Sequence, residues 1–421
     1  MSAVMTESDA VPKLTIFKER FVYGLVFLFP IAGVSVRHWF SAIFAFLFFI
    51  SLWDLVRTRI KGERRLPTLF REEKIWLWLC ASFFLVSMAS ALINGWGHAQ
   101  NRALGVDIRY LFIVPLFLML RQYPQVWRVF LAGVALAAVV LAGQAYCDIY
   151  SIGLQRAQGV YSPNLMGPVA ALVAVWLLCG WRLLGRARWL IPVLVVAALY
   201  AVVMTGSRGA YLAVFFMALV WALLHVKNYW KVIAVALVFV IPTMTYNYVP
   251  SVKQRVDVVV TEVDRYFIEL EKGNHLADGA ANVRFEMWRA GWLVFQQAPL
   301  IGIGRGNYTE AVMPFVKNGE LPVQVSHHGH AHNAYLDVLM SRGAIGFFVF
   351  LGLLFYPLYV FLSTYKIAPE SALLGTVQIV GFAVFSLTDA STFIKGNYVS
   401  VFLLCLTVLF SWHIRKIKEV E

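Results

Sequence analysis

The sequence contains few charged residues and few cysteines for its length. Only 14% of its 421 residues are Asp, Glu, Lys or Arg, whereas 60% are hydrophobic, and the mean hydropathy is +0.70. This balance excludes an ordinary soluble domain and indicates a polytopic membrane protein. The four cysteines all lie inside or at the ends of apolar segments, so the polar part of the chain has no disulfide framework.

Several motifs that would indicate other functions are also missing. The chain has no Walker loop, no zinc-finger spacing and no basic-aromatic tract, so its net charge of +13 does not indicate nucleic-acid binding. No small-residue cleavage site follows the first apolar segment, which is therefore expected to be a membrane anchor and not a signal peptide. The long polar segment lacks an Asp-x-Asp pair, a common metal-binding signal.

Twelve apolar segments are candidates to cross a bilayer, which takes roughly 20 helical residues. We expect an all-α fold with about 12 transmembrane helices in residues 1–248 (spans 1–9) and 343–421 (spans 10–12 and the tail), and one long, mainly helical loop at 249–342. The predicted spans are 21–36, 39–56, 75–93, 104–120, 127–149, 164–180, 189–204, 210–226, 232–248, 343–362, 371–388 and 397–413.

Positive charge is distributed unevenly between the two sides of this topology. If the N-terminus is cytoplasmic, the inside set holds 21 Lys and Arg residues, the short outer loops hold six, and the long loop holds nine. This bias predicts that both termini are cytoplasmic and that the long loop faces outward. The six outer cations are Arg37, Arg102, Arg109, Arg156, Arg208 and Lys395.

Arg208 is the most informative of these outer cations. It lies in the tight turn Thr205-Gly206-Ser207-Arg208-Gly209 between two spans. A cation at membrane depth is costly unless it has an anionic partner. We therefore favour binding of a substrate anion, with contact to lipid headgroups as the alternative.

The first part of the long loop predicts an amphipathic helix. Apolar residues from Val252 to Leu270 recur at spacings of three and four, and the helix is expected to end near Lys272 and Gly273-Asn274. Arg265 points away from the apolar stripe. It is available either to a polar cavity or to solvent.

A second loop helix is predicted from Asn282, as its cap, to Gln297. On it, Arg284 lies one turn before Trp288, where it can stack on the indole and still offer its guanidinium to an anion. The glycine-rich segment 302–307 follows. It could cradle a phosphate, but it lacks the lysine and hydroxyl of a phosphate-binding loop, so a plain turn around Arg305 is favoured.

Four of the nine histidines occur within His327-His328-Gly329-His330-Ala331-His332. On an extended strand the alternating His328, His330 and His332 would share one side and could bind a metal. Alternatively, His332 is a general base, since the start of a helix at Ala334 would disfavour a charged imidazolium. Asn333 would then cap that helix or orient the histidine.

A set of motifs in residues 160 to 350 resembles the O-antigen ligase and polymerase superfamily, and their order is more specific than any one of them. The first 150 residues contribute little beyond topology. The motifs are Ser162-Pro163-Asn164, Thr205-Gly206-Ser207-Arg208-Gly209, Arg284 with Met287-Trp288, Pro299-Leu300-Ile301-Gly302-Ile303-Gly304, His332-Asn333-Ala334-Tyr335-Leu336 and Gly343-Ala344-Ile345-Gly346.

The resemblance implies a bacterial inner-membrane glycosyltransferase with a periplasmic loop and an architecture like that of C-type glycosyltransferases. Its donor would be a glycan on undecaprenyl diphosphate, and its acceptor a sugar hydroxyl of the lipid A core. We expect Arg208, Arg265 and Arg284 to bind the donor diphosphate and His332 to be the base of an inverting transfer. Asn333 is a supporting candidate.

Two further supporting candidates are Asn164, which either binds sugar or phosphate or forms a turn after Pro163, and Ser207. The expected site uses no metal and no cofactor, because arginines neutralise the leaving group. Two other activities fit the same motifs, namely polymerisation of O-antigen repeats and transfer of glycans to protein hydroxyls. A transporter or flippase for lipid-linked sugars is the alternative from another functional class, although no internal repeat of the kind found in transporters is evident.

Overall fold

A computed structural model describes residues 13–60, 68–272, 275 and 277–420, and these residues form helices without any strand. Short π or 3-10 segments occur at Cys147–Ser151, Gly185–Leu190 and Val323–His327. In chain order the α-helices are α1 (Lys13–Ser35), α2 (Trp39–Ile60), α3 (Arg71–Ile93), α4 (His98–Leu120), α5 (Val126–Tyr146), α6 (Pro163–Cys179), α7 (Ile191–Thr205), α8 (Arg208–His225), α9 (Asn228–Tyr248), α10 (Pro250–Glu271), α11 (Ala280–Gln297), α12 (Tyr308–Lys317), α13 (Ala334–Ser363), α14 (Pro369–Thr388), α15 (Ser391–Ile394) and α16 (Gly396–Lys418).

Each of the twelve predicted spans coincides with one of these helices. Within the described residues, ten helices are long and apolar enough to cross a membrane. Of the other two, α6 has only 17 residues, and α1 carries the first predicted span. The predicted fold class, an all-α polytopic membrane protein, is therefore confirmed. The innermost helix is α16, with 94% of its apolar window buried.

The segment between α9 and α13 folds into helices α10, α11 and α12. Met287, Val294, Tyr308 and Met340 belong to a small apolar core of its own, which packs against the start of α13. The end of α10 at Glu271 and that of α11 at Gln297 agree with the sequence predictions, whereas Gly273-Asn274 lie outside the described residues.

The predicted start of α11 was wrong. Gly279 is the residue that precedes the helix, and Asn282 lies inside the first turn. The Asn282 side chain instead donates to the backbone oxygen of Asp278 at 2.7 Å and to its carboxylate at 3.1 Å. Local hydrogen bonding by asparagine therefore stabilises this helix start from within.

The helix that carries the tenth span starts at Ala334, as the sequence predicted, and so extends into the segment counted as the loop. Gly343 interrupts this helix, α13, with φ 64° and ψ −170°. A Cβ at Gly343 would lie 2.2 Å from the Leu300 carbonyl carbon, so only glycine fits there. The break lets the 299–304 segment pair with α13, because Ala344 donates to the Pro299 carbonyl at 2.8 Å.

A buried ion cluster fixes the same region. Asp107 on α4 accepts from Arg342 at 2.6 Å and forms a second ion pair with Arg305. Arg342 is 1% exposed, donates to Ser87 at 2.6 Å and stacks over Phe83 at 4.7 Å. Charges inside a membrane domain persist when they are paired in this way. The cluster joins the loop segment, α3, α4 and α13.

Arg305 is therefore not the surface residue of a plain turn. Its guanidinium is buried and donates to the Ile394 carbonyl at 2.6 Å, in addition to its pairing with Asp107. The turn itself agrees with the favoured interpretation, since the amides of Ile303 and Gly304 donate to backbone carbonyls of α13 and are not available to a phosphate.

Candidate active site at the end of helix α14

The last residues of α14 lie between the starts of two other helices. On one side, Gly209 in the first turn of α8 lies against Thr388. A Cβ added to Gly209 would lie 2.3 Å from the Thr388 hydroxyl oxygen. On the other side, the Asn333 amide donates to the Leu387 carbonyl at 3.3 Å. Asp389, the residue directly after α14, thus lies beside His332 and close to the start of α8.

The backbone at His332 is unusual. Within the described residues, only this histidine and His38 have positive φ without being glycine, and φ at His332 is 49°. The next residue, Asn333, caps α13, because its side-chain oxygen accepts from the amides of Tyr335 at 3.0 Å and Leu336 at 3.2 Å. The capping role, one of two weighed from the sequence, is the one the structure shows. Backbone strain of this kind is typical of functional positions.

His332, His330 and Asp389 form a compact polar cluster. The Nδ1 atom of His332 lies 3.7 Å from Oδ1 of Asp389, and Nε2 of His330 lies 4.0 Å from the same oxygen. The two imidazole rings are 4.2 Å apart, and the His328 ring is 5.4 Å from His332. Neither Nδ1 of His332 nor Nε2 of His330 has a hydrogen-bond partner among the described residues. The side chains are thus close together, but the two ring nitrogens still have hydrogen-bonding capacity among the described residues.

Burial and neighbouring charge separate the ionisation of these groups. Burial, reinforced by His332, lowers the pKa of His330 to about 4, so that ring is neutral at pH 7. Burial also lowers the pKa of His328. For Asp389 burial raises the pKa, but interactions with His332 and Ser391 outweigh it and hold the pKa well below its usual range. The cluster therefore presents a carboxylate beside imidazoles.

Arg156, an outer cation that the sequence left without a role, supports the Thr205–Gly209 turn. Its guanidinium donates to the Thr205 carbonyl at 2.7 Å, to the Gly206 carbonyl at 3.4 Å and to the side-chain oxygen of Asn164 at 3.4 Å. Asn164, at the start of α6, thus has a structural partner. Ser207 is 5% exposed and directly precedes α8.

The three candidate arginines have different surroundings. Arg208 is the first residue of α8, and its helix start adjoins the end of α14. Arg284 on α11 is close enough to His328 for its charge to lower the pKa of that imidazole. The Arg265 side chain pairs with Asp278 at 2.7 Å, is 61% exposed, and lines a cavity of about 680 Å³ between α10 and α11 that no residue of the histidine cluster lines.

Residues 193–351 match the family model described as O-Antigen ligase. This stretch of the chain is therefore similar to the O-antigen ligase family. A Haemophilus influenzae protein described as an uncharacterized protein is 22% identical over 354 residues, covering 80% of this chain and 86% of that protein. The similarity favours glycosyl transfer of the ligase or polymerase type at a membrane.

The O-antigen ligase match includes Arg208, Arg265, Arg284 and His332 but ends before Asp389. From the sequence, Asp389 was placed in the last short outer loop, where it could pair with Lys395 or line the site, and it was not selected as a catalytic residue. Only the packing of α14 against α13 brings its carboxylate to His332, 57 positions earlier in the numbering. An acidic residue in an outer loop directly after an apolar span was the one available signal.

One group of side chains in the described residues could hold a metal ion, and it differs from the group that the sequence suggested. His330, His332 and Asp389 offer ligand atoms within 4.8 Å of one another. The segment 328–332 is a loop and not a strand, so alternation does not create this grouping. Two imidazoles and a carboxylate suit zinc or a similar transition metal chemically.

Proposed function

We propose that this protein is an O-antigen ligase, which transfers a glycan from undecaprenyl diphosphate to a sugar hydroxyl of the lipid A core at the periplasmic face of the inner membrane. The single observation that carries the proposal is the His332–Asp389 cluster beside the start of α8, inside and next to the O-antigen ligase match. Both termini are cytoplasmic in this proposal, and the 249–342 loop is the periplasmic domain.

The transfer is a single inverting displacement. The acceptor hydroxyl oxygen forms a bond to the anomeric carbon of the donor while the bond from that carbon to the diphosphate oxygen breaks. The hydroxyl proton passes to His332, and the electron pair of the broken bond remains on the diphosphate. The products are the glycosylated acceptor and undecaprenyl diphosphate.

Asp389 has the position expected of a residue that orients the base. Its charged carboxylate lies 3.7 Å from His332 Nδ1. A carboxylate beside one ring nitrogen favours the tautomer that leaves the other nitrogen as acceptor, and it stabilises the imidazolium that forms during transfer. The proposed pair therefore follows the arrangement of a base and its orienting acid.

The departing diphosphate needs positive charge. Arg208 and Arg284 supply it, because a guanidinium binds phosphate oxygens in a bidentate manner and stabilises the charge that develops on them. The N-terminal end of α8 adds backbone amides and a favourable dipole. Arg265 is the outlying member, and it would have to exchange Asp278 for the donor. Ser207 and Asn164 support the turn that presents Arg208.

The reaction as proposed uses no metal and no cofactor. Arginines take the role that a divalent cation has in metal-dependent glycosyl transfer. The His330, His332 and Asp389 grouping is the competing interpretation. In that case a bound cation would be coordinated by Nδ1 of His332, the nitrogen that otherwise faces Asp389.

The decisive experiment is reconstitution of the purified full chain in liposomes with an undecaprenyl-diphosphate glycan. Three acceptors are supplied separately: lipid A-core, a second donor molecule, and a pilin-like protein. We expect product only with lipid A-core. Product with the second donor would identify a polymerase, and product with the protein would identify a protein O-oligosaccharyltransferase. Movement of the donor between leaflets without any product would identify a flippase and contradict the proposal.

A further inference from the structure

A second cavity, of about 310 Å³, opens beside the histidine cluster. It lies between the first turns of α4, the 303–306 turn, the 329–330 segment and the first turns of α13. Its volume is at the lower end of ligand pockets, so it suits one ring and not a long glycan. His330 lines it, and the His330 ring is 4.2 Å from that of His332.

The polar groups of this cavity are both donors and acceptors. Arg102 is exposed at its lining and has no ion pair or hydrogen bond among the described residues. Asp337, which is 4% exposed, adds a carboxylate. A second arginine of the lining, Arg305, is already paired with Asp107. Sugar hydroxyls both donate and accept, so they suit Arg102 and Asp337 together. The mixture therefore fits a neutral sugar ring better than an anion.

Two buried groups lining the cavity lack partners within the described part of the chain. They are the hydroxyl of Tyr308, a residue that is 2% exposed, and Nε2 of His330. A buried polar group without a hydrogen bond costs free energy that a bound ligand can recover. Asp337, in contrast, is already held among the charges of Arg305 and Arg342. The two groups without partners thus line the same cavity, and one of them, His330, also belongs to the histidine cluster.

The cavity is also separate from the proposed donor site. Arg208, Arg265 and Arg284 are all absent from its lining. We propose that this cavity binds the acceptor sugar, with Arg102, Tyr308 and Asp337 recognising its hydroxyls and His330 forming the wall next to the base. This assignment rests on the proposed glycosyl transfer and names the acceptor subsite of that reaction.

Steric and hydrogen-bonding variants test the assignment. A Cβ at Gly329 meets no atom within 4 Å, so Gly329→Leu can begin a side chain at the cavity without a backbone clash. Gly143→Leu is the matched control, since Gly143 on α5 is equally open and lies away from the cavity. Tyr308→Phe removes only the hydroxyl, and Tyr200→Phe is its control because the Tyr200 hydroxyl is likewise buried without a hydrogen-bond partner among the described residues.

We expect Tyr308→Phe and Arg102→Ala each to raise KM for lipid A-core by roughly three- to tenfold, with KM for the donor unchanged. Gly329→Leu should remove saturation by the acceptor, and both control variants should behave like wild type. A direct binding measurement completes the test. Soluble core oligosaccharide should bind the His332→Ala full chain and fail to bind His332→Ala with Gly329→Leu.

The outcomes separate this inference from the proposed function. If wild type transfers glycan but the cavity variants change donor KM, or change neither constant, the acceptor assignment is overturned and the transferase stands. If wild type gives no product with any acceptor, the proposed function fails and the subsite fails with it. Thermal unfolding of Gly329→Leu and Gly143→Leu in detergent shows whether either variant is misfolded, and Tyr308→Phe keeps the test decisive in that case.

Discussion

Two sets of arginines in this chain differ in whether their charge is already satisfied. Arg305 and Arg342 are buried against Asp107, and their guanidinium groups also donate to Ile394, Ser87 and other neighbours. Arg284, in contrast, forms no ion pair or hydrogen bond within the described residues and acts on His328 only through its charge.

The comparison separates structural from functional use of the same side chain. A guanidinium that is already ion-paired and hydrogen-bonded has little left to offer a ligand, and removing it leaves a buried carboxylate with one partner fewer. A guanidinium near an unsaturated histidine cluster can still bind an anion. The outer cations remain a prediction of which face carries the site, whereas the partners of each one determine its role.

The largest expected effect is at the proposed base. His332→Ala should lower kcat by roughly 10²- to 10⁴-fold, the usual contribution of a positioned general base. Initial rates with purified donor and lipid A-core measure this. His327→Ala is the matched control, because that histidine is exposed in the same segment, and it should retain wild-type activity. Wild-type turnover by His332→Ala would remove its role as base.

The buried arginines should affect stability. Arg342→Met leaves Asp107 with one partner fewer and should lower the free energy of unfolding by about 3–5 kcal/mol. Thermal unfolding in detergent, compared between Arg342→Met and Arg284→Ala, tests this. Arg284→Ala should unfold close to wild type. An Arg342→Met protein as stable as wild type would show that the comparison between the two sets is wrong.

The diphosphate-binding arginines should affect turnover more than stability. Arg208→Ala and Arg284→Ala should each lower kcat/KM for the donor by about 10²- to 10³-fold, as expected when one stabilising donor is lost. Arg265→Ala should have a smaller effect, because its guanidinium is exposed and paired with Asp278. Arg186→Ala, an exposed cation on the predicted cytoplasmic side, is the control. Equal, mild losses in all four variants would indicate diffuse surface charge.

Removal of metal should have the smallest effect. Excess chelator is expected to leave the rate unchanged, because the proposed leaving group is neutralised by arginine. A loss of activity that one divalent ion restores would instead assign the metal to the grouping of His330, His332 and Asp389. Metal binding that disappears in Asp389→Ala would confirm that assignment.

Periodicity and charge predicted the fold because they act locally. An apolar run long enough to cross the bilayer must satisfy its own backbone hydrogen bonds, so it forms a helix whatever its neighbours are. The cap at Asn333 and the ends of α10 and α11 are equally local. The start of α11 was missed because Asn282 was expected to precede the helix as its cap. Instead its side chain donates to Asp278 from inside the first turn.

The candidate site was only partly predictable. His332 was selected because the start of a helix follows it, which is information within ten residues of sequence. Asp389 and the structural role of Arg156 depend on contacts between helices far apart in the chain. The ion pair of Arg305 could not be predicted for the same reason, since nothing near it in sequence indicates Asp107.

By itself, the sequence determined an all-α membrane protein with a helical loop, a histidine beside a helix start, and cations concentrated on one predicted side. The tertiary structure alone decided which charges meet. It placed Asp389 next to His332 and left the cluster unsaturated, while it buried Arg305 and Arg342 against Asp107. The physical reason is that hydrophobic periodicity specifies which face of a helix is buried, whereas the pairing of charges depends on which helices become neighbours.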